Sequence, residues 1–163
     1  ELTKEIVKDM AKDKGQWQQL RNVFPSGSAI SDFTAKALSQ TSKYPRNEQA
    51  AWEVDWISHL KGFYDERFVR PLAIQTVIVA DRDSHFVIKL DIIEPNGSLI
   101  EQVAQTLRGA IIEVGYRPRV LYMRKKELLD CLTPIMAQLG VRITEAKKLF
   151  AVADFQDEMA KNN

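Results

Sequence analysis

With 163 residues, 45% of them apolar and 28% charged, the chain is long enough for one medium domain with a sizeable core, and this composition excludes long disordered tracts. Lys plus Arg number 23 and Asp plus Glu 22, a net charge of +1 that excludes a global electrostatic pull toward nucleic acid or an anionic membrane. The single cysteine, Cys131, excludes an intrachain disulfide and fits a reducing, cytoplasmic setting as a small buried hydrophobe.

The first part of the chain reads as helical. Leu2, Ile6, Val7 and Met10 recur at helical spacing, as do Trp17, Leu20, Val23 and Phe24 after Gly15. Ser31 and Asp32 open a third helix carrying Phe33, Ala37 and Leu38, and residues 42–47 form the expected joint. This divides the chain into a helical segment, residues 1–48, and an α/β domain, residues 49–163. Neither a signal peptide nor an apolar run near the ~20 residues of a membrane span is present, and no membrane partner is expected. A start at Glu1 rather than Met is expected of a piece of a longer protein.

From Ala50 the period falls to two. Trp52, Val54 and Trp56 alternate with Glu53, Asp55 and Ile57, which predicts a strand with one strongly apolar face. Residues 59–68 are expected to form a loop or lid whose Phe63, Tyr64 and Phe68 fold back on the core or meet a partner. Leu72 to Ala80 and Phe86 to Ile93 are rich in β-branched residues, and the turn chemistry of residues 81–84 joins them as an antiparallel hairpin. Asn96-Gly97 turns the chain, and Ser98 with Glu101 predicts a capping box for a helix through Leu107 and Ile111 that ends at Gly115. Arg119 to Met123 is a short strand. Glu127 to Leu139 is an amphipathic helix stopped by Gly140, in which Pro134 predicts a kink or a restart capped by Thr133. Residues 141–143 form a last strand, and Thr144 begins a terminal helix.

The order is thus β-β-β-α-β-α-β-α. Right-handed crossovers place the fourth and fifth strands parallel beside the first, giving a mixed five-stranded sheet flanked by helices. The runs around Trp52-Glu-Val-Asp55-Trp56, residues 70–84 and residues 117–124 resemble the core domain of retroviral-type integrases and bacterial transposases. They resemble more closely an uncharacterised bacterial domain family of unknown function that shares this hairpin and an ending Leu…Pro…Leu-Gly-Val. The resemblance implies a ribonuclease-H-like α/β fold. In the catalytic relatives it also implies three acids holding divalent cations for phosphoryl transfer.

Asp55 matches the first of those acids. The second falls at Met123 or Arg124, neither of which can bind Mg²⁺, and Glu158 stands near the spacing of the third. A degenerate active site follows, with Asp55 and Glu158 as weak catalytic candidates and no metal or cofactor expected. The family topology implies that Arg124 sits beside Asp55 and neutralises it. The competing reading makes Asp55 the polar residue of a half-exposed strand.

Arg117, Arg119, Arg124, Lys125 and Lys126 form a basic cluster in sequence that could contact phosphates, although Glu113, Glu127 and Asp130 dilute it toward an ordinary solvated face. His59 and His85 are too few for a zinc site, and neither a nucleophile elbow nor a phosphate-binding glycine loop occurs. Trp17, Trp52 and Trp56 suit core packing better than base stacking. The reading is therefore a noncatalytic α/β domain acting in protein interaction, with a protein partner or a second copy, or within a larger assembly. The alternative is a nucleic-acid-binding protein or weak metal-dependent nuclease related to transposase cores.

Overall fold

The alternation around Trp52 becomes the central strand of the sheet. The computed structural model describes residues 30–63, 72–93 and 98–161. Helix α1 (Asp32–Ser39) and a 3-10 turn (Gln40–Lys43) lead into β1 (Arg46–Phe63), followed by β2 (Leu72–Asp81), β3 (Val87–Ile93), α2 (Leu99–Val114), β4 (Arg117–Met123), α3 (Lys126–Gln138), β5 (Arg142–Glu145) and α4 (Phe150–Lys161). The strand order is β3-β2-β1-β4-β5, antiparallel for β1–β2 and β2–β3 and parallel for β1–β4 and β4–β5. This is the mixed five-stranded sheet expected from the order of elements.

Each face of the sheet has its own apolar layer. Trp52 and Val54 of β1 share a buried cluster with Val77 and Val79 of β2, Leu121 and Met123 of β4, and the inward residues of α1, α2 and α3. On the opposite face Ile57, Ile78 and Ala80 pack against Leu149, Ala151 and Val152 at the start of α4. The helix α1 belongs to the first layer, since Ala35 and Leu38 lie in the same cluster as Trp52 and Leu107. The two helices expected before Pro25 lie outside the described residues, as do Trp17, Tyr64, Phe68 and the Asn96-Gly97 turn.

Several expected boundaries move. The central strand starts at Arg46 and runs to Phe63, so residues 59–63 extend a strand rather than open a loop. Pairing with β2 continues to Phe63↔Leu72, which holds that backbone in the sheet. Thr144 lies in β5 and not at a helix start, because Thr144 and Glu145 pair with Tyr122 and Met123 and the N–H of Ala146 donates to the carbonyl of Met123. The terminal helix begins only at Phe150. Pro134 does not restart α3. The helix runs through it, and the Thr133 hydroxyl donates to the carbonyl of Leu129 one turn back.

The capping box at α2 is half realised. The Ser98 hydroxyl accepts the N–H of Glu101 at 3.3 Å, but the Glu101 carboxylate turns to α1 and accepts from the N–H and hydroxyl of Ser31 at 3.1 and 2.6 Å. One acid thus joins the starts of two helices. Gly115 ends α2 in the left-handed conformation, φ 79°, as its position in the sequence predicts.

Candidate functional site

Site geometry begins at the carboxyl ends of the parallel strands β1 and β4. In the register Trp52 lies beside Leu121 and Glu53 beside Tyr122, so continuing two residues brings Asp55 next to Arg124. The side chain of Asp55 is only 1% exposed. One of its oxygens, Oδ2, accepts from Nη2 of Arg124 at 3.3 Å, and the other, Oδ1, accepts from the ammonium of Lys125 and from the N–H of Trp56 at 2.9 Å. The sequence alternative of a half-exposed, solvated carboxylate is therefore corrected: Asp55 is buried and paired with two cations.

Lys125 does more than neutralise charge. Its Nζ also donates to the carbonyl of Trp56 at 2.9 Å and lies 4.7 Å from the centre of the Trp56 ring. The strand β4 ends at Met123, leaving the β4-facing edge of β1 without a neighbour at Trp56. The carboxylate of Asp55 takes the N–H of that residue and Lys125 takes its carbonyl, so the ion pair replaces the missing rungs of the ladder. A backbone group buried without a partner costs about 1–3 kcal/mol, which gives this arrangement a structural reason independent of chemistry.

A second buried acid, Glu53, stands two residues back on the same face of β1, and sequence reading did not single it out. Its side chain is 0% exposed. One oxygen, Oε1, accepts from the N–H groups of Ala151 and Val152 at 2.9 and 3.1 Å, and the other, Oε2, accepts from Arg82 at 3.1 Å. The guanidinium of Arg82 lies 4.1 Å from the centre of the Tyr122 ring and 5.4 Å from that of Phe150. The residue before α4, Leu149, has no side-chain oxygen to cap a helix, and Glu53 supplies one from the central strand. No local pattern could reveal a cap that lies 98 residues away in sequence.

The other candidates disperse. Glu158 is exposed on α4 and faces Lys161 at 3.9 Å. The sequence cluster of basic residues is not one patch: β4 separates Arg117 from Arg124 by roughly 20 Å at about 3.3 Å per residue. Arg117 is engaged with the carbonyls of Tyr44 and Leu139, Arg119 and Lys126 are exposed, and Arg124 is 53% exposed beside Asp55. His85 pairs with Asp154 of α4 from the β2–β3 turn. Cys131 is half-buried on α3.

The residues do not fit the divalent cations that the catalytic relatives hold. Both oxygens of Asp55 accept from cationic side chains, its neighbours at the end of β4 and just after it are Met123 and Arg124, and among the described residues no three His, Cys, Asp or Glu side chains converge.

The model of a domain of unknown function, DUF6930, matches residues 37–160, about three quarters of the sequence. The chain belongs to DUF6930. The match takes in all five strands together with α2 and α3, so both buried acids fall inside the DUF6930 region. No curated protein matches the chain. Among solved structures, this DUF6930 chain is similar to a chain in the cryo-EM structure of the simian T-cell lymphotropic virus intasome in complex with PP2A regulatory subunit B56 gamma. The identity is 13% and the TM-score 0.49, and the match covers 71% of this chain and 42% of that one. Among the described residues of the DUF6930 chain, no helix is long and apolar enough to cross a membrane.

Proposed function

We propose that this chain is a noncatalytic α/β domain with a degenerate ribonuclease-H-like core, acting in protein interaction or as part of a larger assembly in the cytoplasm. One observation carries the reading. The carboxylate that would begin a metal site is buried against Lys125 and Arg124, and it completes the edge of β1 at Trp56. A cation-binding carboxylate needs free oxygens and acidic neighbours; Asp55 has internal counter-charges instead.

The competing reading, nucleic-acid binding or weak nuclease action, draws on Arg119, Arg124 and Lys126, which are exposed. The removal of Arg117 to the far end of β4 and the engagement of Arg124 with Asp55 weaken it. Calorimetric titration with Mn²⁺ and Mg²⁺, paired with a cleavage assay on single- and double-stranded DNA, tests the choice. The expected result is neither Asp55-dependent metal binding nor cleavage. Mn²⁺-dependent cutting abolished by Asp55→Asn would establish the nuclease, and steeply salt-dependent DNA binding lost on charge reversal at Arg119 and Lys126 would establish the binding module.

A further inference from the structure

The strand β3 is an edge of the sheet, hydrogen-bonded to β2 on one side only among the described residues. An open edge presents a row of unpaired backbone donors and acceptors and is a template for another strand. Here it is also apolar: Leu90 is 44% exposed and Ile92 69%, and Phe86 is exposed at the turn that feeds the strand. The opposite face of β3 carries Lys89 and Asp91, both half-buried. The stem of Lys89 lies against Gly109 of α2, and one oxygen of Asp91 accepts from the Thr106 hydroxyl at 2.8 Å. Among the described residues Lys89 has no carboxylate within ion-pair distance.

From this pattern we infer that β3 pairs antiparallel with β3 of a second copy of the chain, about a twofold axis through Leu90. That register is the one in which Val-Ile-Lys-Leu-Asp-Ile-Ile sets its two charges against each other. Reversed about Leu90, it sets Lys89 opposite Asp91 of the other copy and Asp91 opposite Lys89, within the regular stretch of β3 that follows the irregularity at Ile88. Axes through Lys89 or Asp91 set like charges face to face, and parallel in-register pairing does the same at both positions. Directly opposed unlike charges are favourable in a sheet and like charges unfavourable, so charge selects the Leu90 axis. The pairing also brings Leu90 against its own copy, with each Ile92 diagonal to it, and joins the two exposed apolar strips side by side. The result is one continuous ten-stranded sheet with β3 and its copy at the centre.

This names a partner for the interaction reading above and rests on it, but fails separately. Loss of the dimer leaves the noncatalytic assignment untouched, whereas Asp55-dependent metal binding overturns that assignment and not the dimer. Sedimentation of the full chain over a range of concentration is expected to show a reversible dimer of twice 18.6 kDa. Lys89→Glu, which creates two like-charge pairs at the axis, is expected to weaken it about tenfold, and Lys89→Glu with Asp91→Lys to restore it. In a Cys131→Ser background, Leu90→Cys is expected to form an intermolecular disulfide under mild oxidation, because the axis sets position 90 against itself at a Cα separation of about 5 Å. Ile92→Cys, which the axis carries away from position 92 of the other copy, is expected to stay unlinked. A chain that is monomeric at all concentrations overturns the proposal, as does a dimer indifferent to Lys89→Glu, or one that links through position 92 and not through position 90.

Discussion

Glu53 and Asp55 stand two residues apart on one face of β1, both buried beneath the sheet surface, and each is neutralised by a different part of the chain. Glu53 is held by Arg82 and the first N–H groups of α4, and Asp55 by Lys125 and Arg124 after β4. At about 3.3 Å per residue their Cα atoms are only roughly 7 Å apart, yet the carboxylates do not converge on a common centre. Two buried anions on neighbouring positions would repel strongly in a medium of low dielectric, and separate counter-charges remove that conflict.

The two cations at Asp55 should differ in weight. Lys125 is the more buried, makes three contacts with Asp55 and Trp56, and closes the edge of β1, whereas Arg124 is half exposed at 3.3 Å. Lys125→Met is expected to destabilise the fold by about 3 kcal/mol, as for a buried ion pair losing one partner. Arg124→Gln should cost under about 1 kcal/mol, in the range of exposed pairs. Urea unfolding of both variants gives the comparison, and the reverse order would contradict the role assigned to Lys125.

Glu53 caps a helix from a distance. Glu53→Ala leaves the N–H groups of Ala151 and Val152 and the charge of Arg82 without their acceptor, and is expected to cost about 3–5 kcal/mol. Glu53→Gln keeps one oxygen for the helix and loses the ionic partner of Arg82, for about 1–3 kcal/mol. Amide hydrogen exchange should quicken at Ala151 and Val152 more than in α2 or α3. Uniform exchange in the alanine variant would remove the capping role.

Two glycines of the α2 region should respond with opposite signs. At Gly109 an added methyl meets Cε of Lys89 at 2.7 Å, but that atom is near the end of a flexible chain and can move aside. Helix propensity favours alanine there by about 1 kcal/mol, so Gly109→Ala is expected to be neutral or mildly stabilising. Gly115 has open space around it but a φ of +79°, so Gly115→Ala should destabilise by roughly 1 kcal/mol. Thermal melts distinguish the two, and a large loss at position 109 would mean that Lys89 is fixed where it lies.

The tie between His85 and Asp154 fastens the β2–β3 turn to α4 at the surface. Both side chains are substantially exposed, so His85→Ala is expected to change stability by under about 1 kcal/mol, and the difference should shrink in 1 M salt, where the screening length is about 3 Å. A loss of several kcal/mol, or one insensitive to salt, would show that the turn depends on His85 for more than this pair.

Much of the fold was legible in the sequence because it is written in local periodicity. The alternation at Trp52, Val54 and Trp56 marks β1, the helical repeat of Val103, Leu107 and Ile111 marks the buried face of α2, and Gly115 and Gly140 mark the two helix ends with positive φ. The parallel placement of β4 beside β1 followed from crossover handedness, and the neighbourhood of Asp55 and Arg124 was implied by the resemblance to integrase and transposase cores. The limits of β1 and α4 did not follow, because they depend on which backbone groups find partners in the sheet: residues 59–63 on β2, and Thr144 and Glu145 on β4.

The candidate site divides in the same way. Residue types alone showed that an acid stands at position 55 and none at 123 or 124. That Lys125 rather than Arg124 makes the closer embrace, that Glu53 serves α4, and that Arg117 lies at the far end of β4 from Arg124 were decided by tertiary structure. Charges near in sequence need not share a surface, and a buried carboxylate draws its partners from any part of the chain that the packing brings within reach.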